Sequence, residues 1–202
     1  RSPILERSVP PHLRDPDGRW YGLTKRARVI VWDKSRRPDP GISSYEDLAE
    51  PGLDGKVLIR SSSNIYNISL LASFIAEKGE GYARTWAKGV LENMARAPQG
   101  NDRDQMKALA AGVGDFAVVN TYYIGLLLES DDPTEAEVGR RMGILFPDQN
   151  EGGSHINISG AGITAHAPNP ENAMLLLEFL VSERSQAVFA MQNYEYPVNP
   201  AV

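Results

Sequence analysis

The stretch Asp115-Phe-Ala-Val-Val-Asn-Thr-Tyr-Tyr-Ile-Gly-Leu-Leu-Leu128 decides how this chain is read. Phe116 to Val119 is a short apolar run of strand type, and Asn120-Thr121 follows it as a polar corner. Two adjacent tyrosines, Tyr122 and Tyr123, then open an apolar helical run from Ile124 to Leu128. A strand ending in Asn-Thr before a helix puts Thr121 or Asn120 near an N-cap. Both phenols fall at the carboxyl edge of a strand, where open α/β sheets keep their ligand clefts. Neighbouring residues on a first helical turn point about 100° apart, so both can meet one ligand only if it sits over the helix end.

The pattern repeats outward from that stretch. Arg26-Ala-Arg-Val-Ile-Val-Trp32 and Lys56-Val-Leu-Ile-Arg60 read as strands. The polar turn Ser61-Ser-Ser-Asn64 follows the second, and a helix runs from about Tyr66 to Lys78 with Ile68, Leu71 and Ile75 at helical spacing. A helix carrying Tyr82, Trp86 and Val90, and another over Asp102 to Ala111, lead back to the central stretch. Beyond it, Ser130 to Glu137 reads as an exposed acidic excursion, Gly143 to Phe146 as a short strand and Gly160 to Ala165 as a buried strand with close backbone contacts at its glycines. Helices over Glu171 to Val181 and Glu183 to Gln192 close the chain before Tyr194-Glu-Tyr-Pro-Val198. Strands alternating with helices predict an α/β class with a mostly parallel sheet.

Composition narrows the function. The 202 residues are 42% hydrophobic and 23% charged, an ordinary globular balance. A net charge of −5 offers no electrostatic footprint for nucleic acid. There are no cysteines, hence no thiol chemistry or cysteine metal site. His12, His155 and His166 form no pair at metal-ligand spacing and read as structural. No Ser-His-Asp order, phosphate-cradling glycine loop or isolated carboxylate pair stands out, so an enzyme is not expected.

Four landmarks in register carry a family resemblance. Gly22-Leu-Thr-Lys-Arg-Ala-Arg-Val-Ile-Val31, Ser61-Ser-Ser-Asn-Ile-Tyr66, Asn120-Thr-Tyr-Tyr123 and Glu195-Tyr-Pro-Val198 resemble, in turn, the crossover strand, the anion-and-metal loop, the twin-tyrosine signature and the carboxyl-end segment of the ferric-iron-binding proteins of bacterial ABC transporters. The resemblance implies a two-lobe, periplasmic-binding-protein-like architecture with an incomplete first lobe. The chain resembles a fragment lacking roughly the first third of the family's fold and a final helical stretch. Residues 1–26 would be a remnant of the first lobe with the crossover, and 27–152 the second lobe. Residues 153–180 would return to the first lobe, and 181–202 would hold a C-terminal helix and crossover segment.

The same resemblance implies a ligand set. Tyr122 and Tyr123 are the implied metal ligands, with Tyr66 where the family's all-tyrosine branch has a third. Ser63, Asn64, Asn101 and Asn120 are implied contacts of a small synergistic anion, carbonate or phosphate. Ferric ion is a hard acceptor that favours anionic oxygen, and a bound cation stabilises phenolate where a free phenol, with a pKa near 10, would stay protonated. Each tyrosine also has the plainer reading of a packed side chain with a bonded hydroxyl, and each Ser or Asn that of ordinary capping and turn chemistry. The implied partners are ferric ion and an inner-membrane permease, with a monomer, a periplasmic or extracytoplasmic location and no nucleic acid. A carrier of a polyamine, thiamine or an organic anion stays open, as does the ligand-sensing domain of a transcription regulator.

Overall fold

The computed structural model describes residues 2–202. In chain order the elements are α1 (Pro3–Ser8), β1 (Tyr21–Asp33), β2 (Val57–Leu58), α2 (Ile65–Lys78), α3 (Glu80–Glu92), α4 (Asp102–Ala110), β3 (Phe116–Asn120), α5 (Tyr122–Leu128), α6 (Pro133–Arg141), β4 (Met142–Leu145), β5 (Ile156–Ala161), α7 (Pro170–Leu180), α8 (Glu183–Val188) and β6 (Tyr196–Pro197). They form two compact units: residues up to Arg26 with Ile156–Val202, and Ala27–His155.

The Ala27–His155 unit is built on a sheet in the order β2-β3-β1-β4. Side chains alternate across a strand, so adjacent apolar residues serve opposite faces. Val29, Val31, Ala117 and Val119 face one core with Met106, Leu109, Ile124 and Leu127 from α4 and α5. Ile30, Phe116 and Val118 face the other with Leu70, Phe74, Trp86 and Val90 from α2 and α3. Helices on both faces are why these strands read as continuous apolar runs rather than alternating ones.

The expected α/β class holds, with a difference in strand direction. β2 runs parallel to β3, but β1 is antiparallel to β3, β4 and β6. At 13 residues β1 is the long strand by which the chain enters the sheet, and it is joined to its neighbours through long excursions rather than a βαβ crossover.

In the other unit, Leu5, Val9, Leu13 and Tyr21 pack with Leu177, Val181 and Val198. Gln186 ties it together: its amide donates to the carbonyls of Leu23 (2.8 Å) and Leu180 (2.9 Å), and its oxygen accepts from Val198 N–H (2.7 Å).

Two local expectations are corrected. Ser130 to Glu137 is not a mere excursion: from Pro133 it is helical, with Asp132 Oδ1 accepting from Thr134 N–H and proline in the first turn. That cap-then-proline pattern is a helix start. Gly160 to Ala165 is not a buried strand: β5 ends at Ala161 and is half-buried to exposed. The close approach there is present, since a Cβ at Gly160 would stand 3.1 Å from the Tyr21 carbonyl.

Candidate functional site

The twin tyrosines sit on the first turn of α5, immediately after β3. Of the two residues expected near the helix N-cap, Thr121 takes that position. Thr121 holds the cap position in helical geometry and makes no side-chain cap bond. It is used by the neighbouring strand instead: Thr121 Oγ1 accepts from Ala27 N–H (3.3 Å), and Thr121 N–H donates to the Ala27 carbonyl (3.0 Å).

Tyr66 arrives from the first turn of α2. Asn64 caps that helix by accepting from Tyr66 N–H at 3.1 Å. The two helix starts meet: the hydroxyls of Tyr66 and Tyr122 lie 3.4 Å apart, and the rings of Tyr122 and Tyr123 are 4.0 Å apart at centroid with planes tilted by 30°. All three tyrosines are half-buried. Burial, reinforced by the hydroxyls of Tyr123 and Tyr66, pushes the Tyr122 phenol far above its ordinary value. That shift keeps the Tyr122 phenol protonated, and a highly charged cation beside it would reverse the balance. Among the described residues no group of three His, Cys, Asp or Glu side chains could hold a metal.

The Ser and Asn residues are spread around these helix starts. Ser63 is exposed, with its hydroxyl 2.8 Å from that of Ser61. Asn101 begins α4 with a capping box: its oxygen accepts from Arg103 N–H (2.8 Å) and Asp104 N–H (3.3 Å), while Asp104 Oδ2 accepts from Asn101 N–H (2.7 Å). The oxygens of Asn64 and Asn101 are thus committed to helix backbone, leaving only amide nitrogens to meet an anion. Asn120 is fully buried, and its Nδ2 has no hydrogen-bond partner among the described residues.

Sequence reasoning missed what lies beneath. Arg28 and Asp102 are both fully buried and paired at 2.6 Å. Arg28 Nη2 donates to Asn67 Oδ1 (2.6 Å), Asn120 N–H donates to Asp102 Oδ2 (2.7 Å), and Arg60 Nη1 donates to Asp102 Oδ1 (3.2 Å). Tyr45 is buried with its hydroxyl donating to the Arg28 carbonyl and accepting from His155 N–H at 3.2 Å. An arginine inside an apolar strand was the available signal, since such a charge must be paired when buried.

The chain belongs to the bacterial extracellular solute-binding proteins, whose family model matches residues 5–202. That family binds solutes rather than transforming them. Within it, the chain is 50% identical over 198 residues to iron uptake protein A1 of Synechocystis sp., covering 98% of this chain and 55% of that protein. Two solved structures are similar over its full length: the ferric binding protein from Campylobacter jejuni (TM-score 0.95, 45% identity) and a Trichodesmium protein in complex with iron and citrate ligands (TM-score 0.95, 47% identity). The chain covers 64% of each of those chains. It therefore shares the two-lobe binding-protein fold over the region in common, and spans between half and two thirds of its relatives' length.

Proposed function

We propose that this chain carries ferric-ion ligands of an iron-uptake binding protein, with Tyr66, Tyr122 and Tyr123 supplying phenolate oxygens. The observation that carries the reading is the convergence of three phenols from two helix starts on one place, with the hydroxyls of Tyr66 and Tyr122 3.4 Å apart. Oxygen anions suit a hard trivalent ion, whereas zinc prefers nitrogen and sulfur. The names of its relatives, iron uptake protein and ferric binding protein, support the same cargo.

A small anion completes the coordination in this reading. Asn120 Nδ2 is a buried donor free to serve it, helped by the turn of Ser63 and Asn64 ahead of α2 and by the amide of Asn101. Carbonate and phosphate fit such donors, and citrate accompanies iron in the Trichodesmium relative. The loaded protein acts outside the cytoplasm as a monomer and hands the ion to an ABC-type permease.

The test is optical. Ferric nitrilotriacetate added to the chain at neutral pH should produce a visible phenolate-to-iron charge-transfer band that saturates with iron. A chain that stays colourless at saturating iron would overturn the reading.

A further inference from the structure

We infer that Asp102 is a positioning residue that sets the spacing between the two tyrosine-bearing helix starts. The inference rests on the ferric reading above for its purpose, but its geometry stands apart from it. A continuous run of bonds joins the two starts. Asn67, next to Tyr66, accepts from Arg28 Nη2 at 2.6 Å, and its amide donates to the carbonyls of Arg60 (2.8 Å) and Ser61 (3.2 Å). Arg28 Nη1 reaches Asp102 Oδ2 at 2.6 Å. The same oxygen accepts from the backbone N–H of Asn120 at 2.7 Å, two residues before Tyr122. Asp102 Oδ1 takes Arg60 Nη1 at 3.2 Å, which closes the loop on the turn leading to Tyr66.

One carboxylate thus holds the crossover strand β1, the turn before α2 and the last residue of β3. Arg28 and Asp102 are each 0% exposed, so water cannot substitute for the bond between them. A buried ion pair is a poor device for stability alone, because apolar residues of the same volume often hold a fold as well or better. What it supplies is direction: the donors and acceptors have one arrangement, and both phenol-bearing helix starts hang from it. Metal sites depend on such outer partners, whose loss typically costs about 10–100-fold in metal affinity.

The experiment compares the parent chain with Asp102→Asn and with the neutral pair Arg28→Met/Asp102→Asn. Asp102→Asn strands the Arg28 charge and lowers the melting temperature; the double variant removes that charge and regains part of the loss, Asn67 Oδ1 and the Arg60 guanidinium still lacking their former partners. Should Asp102→Asn fail to fold, the neutral pair carries the test. The positioning role requires that the neutral pair, folded and more stable than Asp102→Asn, binds iron from ferric nitrilotriacetate about tenfold or more weakly than the parent. Its crystal structure should show the Tyr66 and Tyr122 hydroxyls moved out of contact. A neutral pair that keeps the parent's hydroxyl spacing overturns the inference, as does one that keeps the parent's iron affinity. A parent chain without a visible band sinks the ferric reading instead, and the hydroxyl spacing in the neutral pair then decides the positioning role by itself.

Discussion

The hydroxyl of Tyr66 lies 3.4 Å from that of Tyr122, although the two residues are 56 positions apart in the chain. Each sits on the first turn of a different helix, so the contact is made by the sheet that aligns those helix starts rather than by local sequence.

The first prediction follows from that contact. Tyr122→Phe/Tyr123→Phe should abolish the visible band with ferric nitrilotriacetate, and Tyr66→Phe should weaken binding by more than the roughly 10–100-fold typical of losing an outer partner. Because the Tyr66 hydroxyl bonds another hydroxyl in the unloaded protein, its removal should cost only about 0.5–1.5 kcal/mol of stability. Iron titration and urea unfolding of the same samples separate the two effects. A double Phe variant that keeps its colour would reassign the ligands.

Asn101 offers a second test, because its oxygen is already spent on the α4 backbone. Asn101→Asp keeps a cap of equal quality but turns an amide donor into a carboxylate. It should leave stability within about 0.5 kcal/mol of the parent while weakening iron binding in bicarbonate or phosphate buffer, if the amide serves the anion. Asn101→Ala should lower stability by about 1 kcal/mol. Unchanged iron binding in both variants would leave Asn101 a cap alone.

The third concerns acid stability. Burial pushes the Asp33 carboxyl up, but hydrogen bonds from Arg141 and Ser35 outweigh burial and hold it below its ordinary value. A depressed folded value means stability that is full above the unfolded value of about 3.9 and is lost as pH falls through the lower folded value. Arg141→Met removes the partner of a nearly buried carboxylate and should cost about 2–3 kcal/mol at pH 7, below the cost for a fully buried pair because Arg141 is partly exposed. The deficit should shrink toward pH 3, because the folded variant's carboxyl, lacking its partner, takes up a proton before that of the folded parent. Urea unfolding at the two pH values reads it, and an equal deficit at both would contradict the linkage.

The fourth is steric. Gly143 of β4 pairs with Trp32 of β1, and a Cβ there would stand 2.5 Å from the indole ring. The ring cannot swing away freely, because Trp32 Nε1 donates to the Arg37 carbonyl at 2.9 Å. Gly143→Ala should therefore destabilise by about 1–3 kcal/mol, whereas Gly81→Ala, with open space around it inside α3, should be neutral or stabilising. Denaturant midpoints of the two variants give the comparison.

Which parts could be read from residues alone follows the range of the forces involved. Period-2 and helical apolar patterns are local, so Phe116–Asn120, Ile65–Lys78 and Asp102–Ala110 were recognisable from neighbours within a few positions. The Asn120-Thr121-Tyr122-Tyr123 corner was recognisable for the same reason, as a change from strand to helix chemistry. Cap chemistry at Asp132-Pro133 was equally local but hidden beneath an acidic surface composition.

Pairing across the chain is another matter. Nothing near Arg28 in the sequence announces Asp102, 74 residues away, or that β1 would run antiparallel to its neighbours. Residue types and their spacing were enough to specify helices, strands and the twin-tyrosine corner, while the oxygen-donor set for a hard cation was implied by the family resemblance alone. Which donors share one place, which charge neutralises which, and that Thr121 serves a strand instead of a helix end were settled by packing, because burial makes an unpaired polar group costly and only the folded sheet says who its neighbour is.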